Sequence, residues 1–375
     1  MDDGSGYLLY HSIGQYPGKA RDLAAATAAF AEIWARPDDG QWPAVLGLRA
    51  RFLDRWRALI GAPEASLTTA ENVTAAVAAL MLGLPEEVLR GRKVLVAADC
   101  FPSVHFLLSG LAPRLGFTLE TVPMRQGAAW VEDEDFAAAW GPEVGVALLT
   151  WISSTSSHRI DLEGLVAHGR ARGSVIGVDI TQGAGLLPFD VMAPAVDFTV
   201  STSLKWLCGS PGAGMLHVAP DLTRRCTPAV RGWFSQPDPF NWDLEGFAYA
   251  SDTRRFDSGT PSVMAAAASL PALDWHAAQE AGALLAQNRA LSEQLADGLH
   301  RIGLQLVSPA DPEARGGSVM ARIPDDGTSA VLAAMRAAGT HADARGPVLR
   351  LSPGIMTTGG GVDRALAAIA DALRA

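Results

Sequence analysis

Lysine is nearly missing from this chain. Of its 375 residues, 30 are Lys or Arg, and the lysines are only Lys19, Lys93 and Lys205. A sequence that writes arginine wherever a surface cation will serve leaves each lysine needing an explanation. Arginine cannot replace lysine where a neutral amine must attack a carbonyl, because guanidinium does not deprotonate in proteins. Lys205 has the most suggestive surroundings. It follows the apolar-leaning run Val196-Asp-Phe-Thr-Val-Ser-Thr-Ser-Leu204 and precedes Trp206-Leu-Cys-Gly-Ser-Pro-Gly-Ala-Gly214. Its amine therefore sits at a strand end beside a glycine-rich turn, either as a nucleophile or as an ordinary surface lysine.

Other scarcities exclude whole classes. Cys100, Cys208 and Cys226 are odd in number and lack zinc spacing, so they read as reduced thiols of a cytoplasmic protein. The histidines show no metal-ligand spacing. A formal charge of -10, with no basic stripe interleaved with aromatics, excludes nucleic acid and an anionic membrane as general partners. Ala-rich stretches such as 265–268 are too short to span a bilayer. The acidic start, Met1-Asp-Asp-Gly-Ser-Gly6, does not read as a signal peptide. Internal repeats and long disordered linkers are missing too.

What is present is a globular composition, with 49% apolar and 19% charged residues, long enough for one large or two medium domains. Residues 20–60 carry apolar side chains at helical spacings. From about 65 the pattern alternates short apolar runs (Val94-Leu-Val-Ala97, Val144-Gly-Val-Ala-Leu-Leu149, Val175-Ile-Gly-Val178) with helix-compatible segments at 103–115 and 161–172. That alternation predicts an α/β fold with a mostly parallel sheet sandwiched by helices. After Pro271, a helix-like stretch over 272–300 leads into short apolar runs at 305–307, 318–323 and 348–351. Helices near 328–338 and from 361 complete a smaller α+β domain. The expected division is 1–60 for an N-terminal arm and helices, 61–270 for the large domain and 271–375 for the small one.

In open parallel sheets, ligands bind outside the carboxyl ends of the strands. Four segments place functional side chains at that edge. Thr68-Thr-Ala-Glu-Asn-Val-Thr74 runs into an Ala-rich helix, as a phosphate-binding helix N-terminus or a plain cap. Ala98-Asp-Cys-Phe-Pro-Ser103 puts Phe101 at a strand end, as a stacking plate or a core residue. Asp179 closes an apolar strand, so its carboxylate needs a cation, a hydrogen-bond donor or a capping role. Lys205 follows one strand further on. Together these supply a phosphate cradle, an aromatic plate, an acid and an amine. Those are the parts that hold pyridoxal 5'-phosphate (PLP): the amine forms the Schiff base and the acid keeps the pyridine nitrogen protonated.

The chain resembles the class V PLP-dependent enzymes of the aspartate-aminotransferase fold type I, and within them the kynureninases. The likeness runs through His11-Ser-Ile-Gly14, Phe101-Pro-Ser103, Asp179-Ile-Thr-Gln182, Ser203-Leu-Lys-Trp206, Gly232-Trp-Phe234, Gly259-Thr-Pro261, Arg315-Gly-Gly317 and Leu349-Arg-Leu-Ser-Pro353. The resemblance implies that Lys205 is the Schiff-base lysine and proton shuttle, and that Asp179 pairs with the pyridinium. It implies Phe101 stacking on the ring and Gln182 facing its phenolic oxygen. Val73 (by its amide), Thr74 and Thr202 would hold the phosphate, with Trp233 and Thr260 contributing across a homodimer interface. Arg350 and Ser12 would bind the substrate, Arg350 through its α-carboxylate.

Four positions depart from the kynureninase pattern. Val104 replaces an acid, Gln182 a histidine, Leu204 a tyrosine, and Ser235-Gln236 stands where Gly-His closes the family segment. The whole-chain likeness implies kynureninase-like Cβ–Cγ hydrolytic cleavage of an amino acid. The replacements point to another substrate or outcome, with a class V aminotransferase as the alternative. A catalytically silent PLP-fold binding protein is the rival of a different class. Three further segments stay open. Gly209-Ser-Pro-Gly-Ala-Gly214 reads as a tight turn entering a strand, 153–158 as an active-site wall or a solvated loop, and the aromatics of 233–242 as pocket wall or subunit interface.

Overall fold

A computed structural model describes residues 3–324 and 327–374. Met1, Asp2 and Ala375, at the ends of the expected N- and C-terminal units, lie outside the described residues, so the charge reading of the first two has no structural counterpart.

The short apolar runs form one seven-stranded sheet from β1 (Leu67–Ala70), β2 (Lys93–Ala97), β3 (Thr118–Val122), β4 (Val144–Thr150), β5 (Val175–Asp179), β6 (Phe198–Thr202) and β7 (Gly214–Val218). Their order is β1-β7-β6-β5-β4-β2-β3, parallel from β3 through β6, with β7 antiparallel to both its neighbours. Every residue of β5, β6 and β7 is buried, the pattern expected of strands covered on both faces. Alternation sorts the side chains. Leu95, Ala147 and Leu149 join one core with Phe52, Trp56 and Leu270, while Val94, Val146 and Leu148 join another with Val77, Leu80 and Leu108. Gly177 has no side chain because the ring of Phe198, its register partner on β6, fills that space; a Cβ there would lie 1.9 Å from Cζ.

A second sheet comprises β8 (Gln305–Leu306), β9 (Val319–Arg322), β10 (Asp343–Arg345) and β11 (Val348–Leu351), all antiparallel in the order β10-β11-β9-β8. Helices Ala283–Ile302, Thr328–Ala337 and Gly359–Arg374 pack on it through Leu295, Leu299, Val331, Met335, Val362 and Ile369. The N-terminal segment lies against this sheet, where Leu9 bridges Ser352 and Leu8 is fully buried.

The helix expected over 272–300 is two helices. The first, Val263–Ala277, runs through Pro271 and packs Val263 and Ala267 against Phe30 and Val45 of the N-terminal helices. A turn ends it, and Gly282 at φ 81° starts the second. Gln279-Glu-Ala281 suits a helix by propensity, so only the glycine marks the break. Strand β10 carries no run of apolar residues and was not anticipated.

Candidate active site

The parallel register brings the carboxyl ends of three strands level. Thr150 of β4 pairs with Asp179 of β5, which pairs with Val200 of β6, and β6 continues to Thr202. A cavity of about 800 Å³ opens above this edge. Val73, Thr74, Phe101, Asp179, Gln182, Thr202 and Lys205 all line it.

Local sequence explains each placement. β1 runs into the helix Val73–Met81, whose cap Asn72 accepts the Ala75 amide at 2.9 Å. The amides of Val73 and Thr74 have no hydrogen-bond partner among the described residues and stand at the positive end of the helix. Phe101 caps the helix Pro102–Leu115 with proline at its first position. Its ring is 45% exposed, so it is not a core residue. Gln182 is held by its side-chain amide, which donates to the His11 carbonyl at 3.2 Å. The polar run 153–158 is mostly buried, and Ser154 lines the cavity.

The three lysines part company here. Lys93 pairs with Glu120 and Glu143 near the surface, and Lys19 donates to the Gly14 carbonyl at 2.6 Å. The Lys205 amine makes no hydrogen bond or ion pair among the described residues, while the Lys205 carbonyl accepts the Cys208 amide at 2.8 Å. Its amine lies 5.3 Å from the centroid of the Phe101 ring. Burial pushes the Lys205 amine down to about 8, helped by Arg350 and opposed by Asp179. Burial pushes Asp179 up, opposed by Thr181, whose amide donates to Oδ1 at 2.9 Å, and by Lys205. Both groups are thus driven toward their neutral forms, and a cation placed against Asp179 would restore its charge.

Behind Lys205, the N-terminal segment makes a close approach. Gly14 donates its amide to the Leu204 carbonyl at 2.9 Å, and a Cβ on Gly14 would lie 1.9 Å from the Lys205 carbonyl oxygen.

Four expected residues do not line the cavity. Arg350 is one layer behind it, with Nη1 donating at 3.1 Å to the carbonyl of Ser154. Ser12 is half-buried, its amide engaged by the Leu9 carbonyl. Trp233 packs edge-on against Trp42, Phe234 and Phe240. Thr260 is exposed at an adjoining cleft of about 670 Å³ that shares Glu71, Ala75, Pro211 and Gly212 with the first. Sequence reasoning gave no role to Asn72 or to Asp343, the carboxylate partner of Arg350. The Asn72 cap was signalled by its place before an Ala-rich run; Asp343 had no signal. Among the described residues no helix is long and apolar enough to cross a membrane.

The profile of the aminotransferase class-V family matches residues 53–340. A kynureninase from Deinococcus radiodurans is 32% identical over 294 residues, covering 76% of this chain and 69% of that protein. An isopenicillin N epimerase from Streptomyces clavuligerus is 30% identical over 356 residues, covering 89% of this chain and 85% of that one. Among solved structures, the cysteine desulfurase CsdA from Escherichia coli superposes with a TM-score of 0.87 at 19% identity, covering 100% of this chain and 96% of that one. A C-DES variant with glycine covalently linked to its PLP cofactor gives a TM-score of 0.87 at 20% identity, covering 98% and 96%. At these identities the two structures share the fold.

Proposed function

For a chain that belongs to the aminotransferase class-V family, we propose that Lys205 moves the Cα proton of an amino acid and that the outcome is transfer of its amino group. The cofactor is pyridoxal 5'-phosphate. The chain's own residues fit it. Two unpartnered helix amides suit a phosphate, an exposed ring at the cavity mouth suits a planar heterocycle, and a buried carboxylate suits a pyridinium. When bound, PLP supplies a sink for the electron pair released at Cα.

The remaining work falls to the chain's own groups. The Val73 and Thr74 amides and the Thr202 hydroxyl would hold the phosphate, Phe101 would orient the ring, and Gln182 would face its phenolic oxygen. Asp179 would keep the pyridine nitrogen protonated. Lys205 would anchor the cofactor and, as a neutral amine, would take the proton from Cα and deliver it away from that carbon, as transfer of the amino group requires. Arg350 receives the α-carboxylate, with Ser12 near it. Trp233 and Thr260 act from the partner subunit of a homodimer. Exposed Phe240, Trp242 and Leu244, at 60%, 80% and 93%, give that segment an apolar surface to bury. Three buried free cysteines suit the reducing cytoplasm.

One observation carries the choice of outcome. Among the described residues the ionisable side chains lining the cavity are Glu71, Asp179 and Lys205, of which Glu71 is exposed and Asp179 would be committed to the ring nitrogen. Transfer of an amino group needs one base at Cα. Hydrolysis at Cγ needs a further group to deprotonate water, and Val104 and Leu204 make that part of the wall apolar. Kynureninase-like Cβ–Cγ cleavage is the second reading, favoured by the kynureninase relatives.

The test is to incubate the PLP-loaded protein with a panel of amino acids and identify products by mass. A keto acid with the cofactor left in its aminated form supports amino-group transfer. Alanine from kynurenine supports the second reading. No product and no spectral change with any amino acid would leave a silent binding protein.

A further inference from the structure

Arg350 is already half occupied. It lies on β11 directly opposite Asp343 of β10, so the two side chains share a face of the antiparallel pair. Asp343 Oδ1 accepts from Nε at 2.8 Å and Oδ2 from Nη2 at 2.5 Å, a two-point grip on one edge of the guanidinium. The Ser154 carbonyl takes a third N–H from Nη1. Guanidinium carries five N–H donors. One N–H on Nη1 and one on Nη2 remain without a partner among the described residues, enough for a single carboxylate. The Arg350 side chain is 6% exposed, so its direction is fixed by these contacts.

Asp343 is itself held from behind. His11 Nε2 lies 2.9 Å from Oδ1, and His11 Nδ1 lies 2.6 Å from the Ser352 hydroxyl, which is 2.6 Å from the Ser318 hydroxyl. Burial pushes His11 below the ordinary histidine value, opposed by Asp343. A neutral ring with its proton on Nε2 donates to Asp343 and accepts from Ser352, so the whole chain is satisfied in one direction. Arg345 adds a cation 3.3 Å away. Burial would raise the Asp343 carboxyl, but His11 and Arg350 together hold it well below the ordinary range.

We propose that Asp343, braced by His11 and Ser352, is the positioning residue that aims the two free N–H groups of Arg350 at one substrate carboxylate. This rests on the reading that Arg350 is the carboxylate clamp and goes beyond it. The clamp depends on a second carboxylate of the chain, and an amine lacking its carboxylate makes no use of either residue.

Glycine and methylamine serve as probes with and without the carboxylate, their binding read from the visible spectrum of the PLP-loaded protein. Asp343→Asn keeps the shape but removes the charge and one acceptor, and is expected to weaken glycine by about tenfold while moving methylamine less than about twofold. Arg350→Gln is expected to weaken glycine at least as much. Asp343→Glu, which keeps the charge on a longer arm, is expected to fall between wild type and Asp343→Asn, and it carries the test if the Asn variant does not fold. If Arg350→Gln weakens glycine but the Asp343 variants bind it as wild type does, the positioning role is wrong and the clamp stands. If neither residue affects glycine, the clamp reading fails with it. Equal weakening of glycine and methylamine by Asp343→Asn would mark a merely structural role and overturn the proposal.

Discussion

The Lys205 amine lies 5.3 Å from the centre of the Phe101 ring. The amine follows β6 and the ring caps the helix after β2, so two segments about a hundred positions apart define the walls of one slot. Phe101→Ala should weaken PLP by roughly two- to thirteenfold, the value of about 0.5–1.5 kcal/mol for one aromatic contact. Phe101→Tyr should bind as wild type does. Absorbance titration of the cofactor-free protein checks both, and equal weakening by the two would remove the stacking role.

Burial pushes the Lys205 amine down to about 8 from the ordinary 10.5 of a lysine. Its charge is lost as pH rises through 8, so the fraction of nucleophilic amine grows about tenfold per pH unit below 8 and levels off above it. Capture of PLP by the cofactor-free protein, followed by stopped-flow absorbance from pH 6 to 10, should show that bend. A rate still climbing tenfold per unit at pH 9.5 would mean an ordinary solvated lysine.

Gly14 is the contact that seats the Lys205 turn. Gly14→Ala places a methyl group 1.9 Å from the Lys205 carbonyl and 2.7 Å from Cys208 Sγ. The backbone on both sides must shift, at an overpacking cost of about 1–3 kcal/mol. Thermal unfolding should show that loss, and PLP affinity should fall with it. A variant with unchanged melting temperature and affinity would show that the N-terminal segment does not brace the turn.

Away from the cavity, Arg49 Nη2 meets Asp257 Oδ1 at 2.8 Å, with both side chains under 10% exposed and the Thr68 hydroxyl also donating to Asp257. The pair ties the helix Gln41–Leu59, and Thr68 ties β1, to the segment before Thr260. Asp257→Ala strands a buried guanidinium, at a cost of about 3–5 kcal/mol. Denaturant unfolding measures it, and a loss below 1 kcal/mol would mean that water reaches the pair.

Much of the large sheet was legible because buried parallel strands write themselves as short apolar runs. The residues that line the cavity were legible because each sits at a turn where such a run ends. Thr68–Thr74, Phe101, Asp179 and Lys205 are adjacent in space only because parallel strands end at one edge, a rule that needs no knowledge of side-chain packing. What was not legible had no periodic trace. The break at Gly282 lies among helix-favouring residues. Asp343 chooses Arg350 across a three-residue strand with no apolar run to announce it. Trp233 and Thr260 stand off the cavity, and one chain's pattern says nothing of what faces them in an assembly.

The scarcity of lysine makes the central claim directly measurable. The PLP-loaded protein is reduced with borohydride, which fixes the cofactor to the amine that holds it, then digested and mapped by mass. The account predicts the label on the peptide containing Lys205, none on those with Lys19 or Lys93, and no fixed label in a folded Lys205→Ala protein. A label on Lys19 or Lys93, or one that survives Lys205→Ala, would contradict it.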